Sequence, residues 1–257
     1  MTNLYKIFFV ALYIVLIQYI VAFKVMASDL NPVSEILEGN DYIETPDYNN
    51  KKLNYYYYIP QIVNLDRKQS HPVLVVLADP LTTRDSIITE NVKNYASEKG
   101  FVIVAPEFNY DQESVDNKTS YHYPSIWSGK ALLKINHHIK RFKIKTSGIY
   151  FLSFSDGAEF AIRFSLWNPD MVVACSANDF KDSIIPLEKN NVSFFISYLS
   201  DLNNDSKNYI ERFCHVAKML GIDVVFQQFD TRDNSYDIQI NESLNFFNDV
   251  KYHYSFK

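Results

Sequence analysis

One serine stands where a strand would give way to a helix. In Tyr150–Ala161 (YFLSFSDGAEFA) an apolar run ends at Ser153-Phe154-Ser155-Asp156-Gly157, and a small-residue helix start follows. A hydroxyl on such a tight turn projects above a sheet, and the helix N-terminus beneath it offers amide hydrogens to a developing oxyanion. The chemistry this arrangement could serve is nucleophilic attack by Ser155 on a carbonyl carbon. The spacing is that of G-x-S-x-G with Ser153 at the first glycine, and Gly157 leaves room where helix and strand come close. A plainer reading is open for each residue: Ser155 could cap the helix that follows, and Asp156 could complement its N-terminus.

The elements that would hold this turn alternate in type. Strands are expected at Leu53–Ile59, Val73–Leu77, Phe101–Ala105, Ile149–Leu152, Met171–Ala177, Val192–Leu199 and Ile222–Phe229. Most of these are short apolar runs bounded by Pro, Gly or polar residues, as strands buried on both faces are. Helical spacing runs through Asp85–Lys99, Ser125–Arg141, Asp156–Leu166, Ser206–Leu220 and Ile238–Val250, with Gly100 and Gly221 at helix ends. The alternation predicts an α/β fold, a mostly parallel central sheet with helices on both faces. Ligands of such sheets sit beyond the carboxyl ends of the strands, so the loops after residues 77, 105, 152, 177, 199 and 229 face the site.

The 257 residues, 47% hydrophobic, suffice for one sizeable core. Residues 1–27 read as a signal peptide: Lys6, the apolar run Ile7–Phe23 interrupted only by Gln18, then Val25-Met26-Ala27 before a cut. An uncleaved N-terminal anchor is the other reading, because the run is nearly long enough to span a bilayer. Residues 28–52, with Pro32, Pro46 and Asn49-Asn50, read as a surface lead-in without much structure. Residues 53–257 form the domain. Segment 1–27 carries two lysines and no acid, so the rest has 23 basic and 30 acidic residues, net −7. That balance argues against nucleic acid or an anionic membrane surface as partner. Cys175 and Cys214 are read as buried free thiols, with pairing as the alternative in an exported protein. No spacing suggests a metal site.

The turn in its strand–helix context resembles the α/β-hydrolase fold, and within it the secreted esterases similar to polyhydroxyalkanoate depolymerases and feruloyl esterases. The segments that carry the resemblance are YYYYIP, PVLVVL, YASEKGFVIVAPEF, GIYFLSFSDGAEFAIRFSLWNPDMVVA, FFISYLSD and KMLGIDVVFQQFD, over roughly residues 50–250. The resemblance implies ester hydrolysis by a Ser-His-Asp triad with no metal or organic cofactor. Ser155 falls on the nucleophile and Asp156 on the residue whose amide donates to the oxyanion. Asp201 falls on the acid, with Asp205 as runner-up; Asp201 could also open a turn in LSDLNND.

Two parts of the family pattern are absent. His-Gly after the first buried strand is replaced by Ala78-Asp79, followed by Pro80, which has no N–H to donate. Asn234 stands at or near the place of the triad histidine, and an amide cannot take and return a proton near neutral pH. Of six histidines, His71 precedes a strand and His137 and His138 end a helix at the opposite rim. His215 lies off its helix's apolar face and His253 follows the last helix. Topology puts His122 alone on the catalytic side. The sequence therefore supports an exported esterase-type acyl hydrolase using Ser155, acting on a small-molecule or polymer ester. The alternative is an inactive homologue kept as a binding or structural module outside the cytoplasm, with the membrane a partner only if residues 7–23 stay attached.

Overall fold

The computed structural model describes residues 35–46, 51–79, 82–108, 120–230 and 235–254, and Gln18 by itself. The segments read as signal and anchor, together with Pro80 and Asn234, lie outside the described residues. Among those described, no helix is long and apolar enough to cross a membrane. The unit considered below is Ile36–Lys257.

Eight strands form a single sheet: β1 (Leu37–Thr45), β2 (Lys51–Ile59), β3 (Ser70–Leu77), β4 (Val102–Pro106), β5 (Lys145–Phe154), β6 (Val172–Asn178), β7 (Ser193–Leu199) and β8 (Val224–Phe229). Their spatial order is β1-β2-β4-β3-β5-β6-β7-β8. The pairs β1–β2 and β2–β4 are antiparallel, and every other pair is parallel. The helices are α1 (Gln61–Leu65), α2 (Arg84–Ile87), α3 (Glu90–Lys99), α4 (Ser128–Ile139), α5 (Asp156–Trp167), α6 (Asn204–Met219) and α7 (Ser235–Tyr254).

The inner strands are apolar on both faces because each face is roofed by helices. On one side Val75, Phe151, Cys175 and Ile196 meet Leu132 of α4, Phe164 of α5 and Phe213 of α6. On the other, Leu74, Leu152, Ala174 and Phe195 meet Val92 of α3 and Phe247 of α7. β2 alternates between the two, sending Tyr55 to the first layer and Tyr56 and Tyr58 to the second. Both thiols are free and buried, and burial pushes each up to about 12.

The structure departs from the sequence reading in two places. Segment 28–52 contains β1, which pairs with β2 from Leu37↔Ile59 to Thr45↔Lys51. Its inward positions include Gly39, Asp41 and Thr45, and its outer face carries Glu38, Asn40 and Glu44. The period-2 signal of an edge strand is weak in hydrophobicity when half of its covered face is small or polar. The helix expected over Asp85–Lys99 is broken into α2 and α3. Thr89 is extended (φ −68°, ψ 166°) and starts α3 afresh after the β-branched pair Ile87-Ile88. Gly100 ends α3 as expected, in the left-handed conformation at φ 72°.

Candidate active site

β5 enters the site fully buried at Ser153 and Phe154, and Ser155 then turns the chain with φ 49° and ψ −122°. A positive φ strains any residue with a Cβ, by roughly 1–3 kcal/mol. Neighbouring contacts hold the turn in place. Ser155 N donates to Asn178 O of β6 at 2.8 Å, and Ser155 O accepts from Ala158 N at 3.0 Å and Glu159 N at 3.3 Å. Ser155 makes no side-chain cap on α5, so its hydroxyl is not occupied in the plainer role. The first amides of α5, those of Asp156 and Gly157, have no intrahelical acceptor by helix geometry. They follow Ser155 directly in the chain.

Gly157 is required by its neighbours. A Cβ there would lie 2.7 Å from Leu77 C and 2.8 Å from Ala78 N, so the end of β3 packs directly on the first turn of α5. Ser153, in place of the motif's first glycine, is accommodated because its hydroxyl donates to Ser176 O at 2.6 Å.

Beneath the turn the ends of β5, β6 and β7 are tied by buried polar side chains. Asn178 Nδ2 donates to Ser153 O at 2.9 Å, and Ser197 Oγ donates to Asn178 Oδ1 at 2.6 Å. Asp179, itself at φ 58°, accepts from Leu199 N at 2.8 Å and from Gln239 Nε2 of α7 at 2.9 Å. Burial pushes the Asp179 carboxyl above its usual range, and its two hydrogen bonds oppose that.

The predicted residues take different places. Asp201 is exposed in the turn after β7, where Leu202 N closes on Leu199 O at 3.0 Å. Asp205 is exposed in the first turn of α6. Ala78 and Asp79 follow β3 at the rim, where Asp79 accepts from the Thr82 hydroxyl at 2.8 Å. His71 is buried at the start of β3, its Nε2 2.8 Å from Asp66 O, and His138 Nδ1 is 3.0 Å from the Tyr55 hydroxyl. His215 is exposed.

His122 is different: its Nδ1 lies 3.5 Å from Glu159 Oε2 on α5, and its Nε2 is buried without a hydrogen-bond partner. Glu159 also meets Arg163 Nη1 at 3.4 Å and accepts from Lys181 N at 3.2 Å. Arg163 pairs in turn with Asp182. Burial is the largest influence on both members of the His122–Glu159 contact. It pushes Glu159 up to about 7 despite Arg163, and it pushes His122 down with help from Arg163 against Asp156 and Asp182. The ion-pair distance thus joins two groups that burial favours in their neutral forms. Glu159, Arg163 and Asp179 were not singled out in the sequence. The first two form an i,i+4 charged pair within the mostly buried α5, which is the signal that could have found them.

Ferulic acid esterase, at 14% identity, matches with a TM-score of 0.64 over 84% of this chain and 98% of its own. An S-formylglutathione hydrolase from Agrobacterium tumefaciens matches at 15% identity and a TM-score of 0.62, over 86% and 96%. This is an α/β-hydrolase fold. A fluorophosphonate-binding serine hydrolase of Staphylococcus aureus has the same architecture, at 12% identity and a TM-score of 0.57 over 81% of this chain and 98% of its own. No family model and no curated protein matches the sequence. On the α/β-hydrolase frame Ser155 is the residue at the strand-to-helix turn.

Proposed function

We propose that this chain is an exported serine esterase in which Ser155 attacks the carbonyl of a small-molecule or polymer ester. The observation that carries the reading is the Ser155 turn: a strained backbone and no capping bond from the hydroxyl at the start of a helix, whose first amides lack intrahelical acceptors. The esterases and hydrolases among the structural neighbours support the same class. Residues 1–27 support export, and the net acidic chain fits neither nucleic acid nor an anionic surface. Labelling by a fluorophosphonate probe tests the reading. The mature protein should label, and Ser155→Ala should abolish labelling.

A second reading, an inactive homologue serving as a binding or structural module, is favoured by one observation. Asp201 is exposed after β7 and accepts no hydrogen bond from an imidazole among the described residues. No labelling at high probe concentration would favour that module.

A further inference from the structure

We propose that His122 is the general base for Ser155 and that Glu159 orients it, so the proton acceptor comes from the segment after β4. The inference rests on the esterase reading above.

The contact between the Glu159 carboxyl and the imidazole leaves the other ring nitrogen for a serine hydroxyl. Glu159 lies 3.5 Å from Nδ1, and Nε2 is a buried ring nitrogen with no partner. A buried polar atom left unpaired costs free energy, and a partner that arrives with substrate removes that cost. Among the described residues none hydrogen-bonds the Ser155 hydroxyl either. Through its contact with Glu159, His122 reaches the helix that Ser155 opens. Glu159 is one helical turn from Ser155, about 5.4 Å along the axis, and helical side chains lean toward the N-terminus. Asp156, the residue next to Ser155, acts electrostatically on His122.

The imidazole is also anchored. Tyr121, its neighbour, is buried and stacks on Phe108 with ring centroids 5.0 Å apart. The Tyr121 carbonyl accepts from the fully buried Ser128 hydroxyl at 2.6 Å, and His122 N donates to Ser120 Oγ at 3.2 Å. The carboxylate after β6, Asp179, is already bonded to Gln239, an amide that cannot carry a proton.

The chemistry balances as follows. The Ser155 Oγ–H proton passes to His122 Nε2 while Oγ bonds the ester carbon and the carbonyl π pair moves onto oxygen, facing the Asp156 amide. Collapse breaks the bond to the leaving alkoxide, which takes the proton from Nε2. Water then repeats the sequence on the acyl-serine, releasing the acid and restoring Ser155. His122 touches the reacting atoms; Glu159 acts through it.

Turnover of p-nitrophenyl acetate by the mature chain tests this, with thermal melts on every variant. His122→Gln should lose about 100-fold or more in kcat/KM, the scale of a general base. Glu159→Gln should lose less and displace the acidic limb of the pH profile, which a merely structural role would not do. Wild-type kcat/KM should rise with pH through the ionisation of the coupled His122–Glu159 pair. If Ser155→Ala is dead while folded His122→Gln keeps activity within about threefold, this inference fails and the esterase reading stands. If His122→Gln does not fold, a wild-type profile without that ionisation overturns the inference. If wild type neither turns over nor labels, both fall together.

Discussion

The Asp179 carboxylate and the Gln239 amide, 60 residues apart, meet at 2.9 Å inside the protein and close the rim between β6, β7 and α7. Gln239 is fully buried and also donates to Ser197 Oγ at 3.2 Å. Gln239→Leu removes a donor from a carboxylate that has little access to water. It should destabilise the protein by about 1–3 kcal/mol, read from the urea midpoint at unchanged slope.

Ser155 holds a positive φ with a Cβ attached. Ser155→Gly should raise stability by about 1 kcal/mol, because glycine reaches φ 49° without a Cβ penalty. Ser155→Ala keeps the strain and should leave the melting temperature nearly unchanged. Both should fail to label with a fluorophosphonate. Equal melting temperatures for Ser155→Gly and wild type would contradict the strain.

Gly157→Ala brings a methyl against the backbone of β3, with contacts of 2.7 and 2.8 Å that cannot persist. The end of β3 must retreat, at a cost of about 1–3 kcal/mol. The same retreat shifts the amides of the elbow, so the proposed esterase activity should fall further than the melting temperature suggests. A variant with wild-type stability would show that β3 does not press on α5.

Glu159 predicts a slope in stability against pH. Its folded value of about 7 lies above the ordinary 4.5, so the folded protein holds that proton more tightly. The contribution is complete below about pH 4.5 and is lost as pH rises toward 7, on the order of 2 kcal/mol. His122 works in the opposite sense: lowered below 6.5, it stabilises at higher pH and loses that as pH falls below 6.5. Arg163 and Asp156 on α5 and Asp182 after β6 face the pair and set the balance. Urea unfolding at pH 5 and 7.5 should show Glu159→Gln flattening the decline; an unaltered slope would assign it elsewhere.

Much of this fold was legible because buried parallel strands advertise themselves. VLVVL, FVIVA and FFISYL admit few other readings between turn residues, and the Ser155 elbow was placed by motif spacing in a strand–helix context. β1 was missed because its inward face uses Gly39, Asp41 and Thr45, whose burial depends on partners in β2. The polar residues around the elbow were hidden for a related reason. Beyond the Glu159–Arg163 spacing, Glu159 and Asp179 take their setting from His122, Lys181 and Gln239, which are 22 to 60 residues away and come close only in the fold. His122 was placed at the right rim by topology, but its carboxylate partner could not be read from spacing.

The hydrogen-bonded tie among Ser153, Asn178 and Ser197 bears on how the sheet is indexed. Strands that are greasy on both sides tolerate sliding by two residues, since one aliphatic or aromatic group simply takes another's seat. At the tips of β5, β6 and β7 such a slide would strand an amide and two hydroxyls away from water with nothing to bind. These few side chains act as locating pins for three neighbouring strands, and the height at which the serine is presented follows from them.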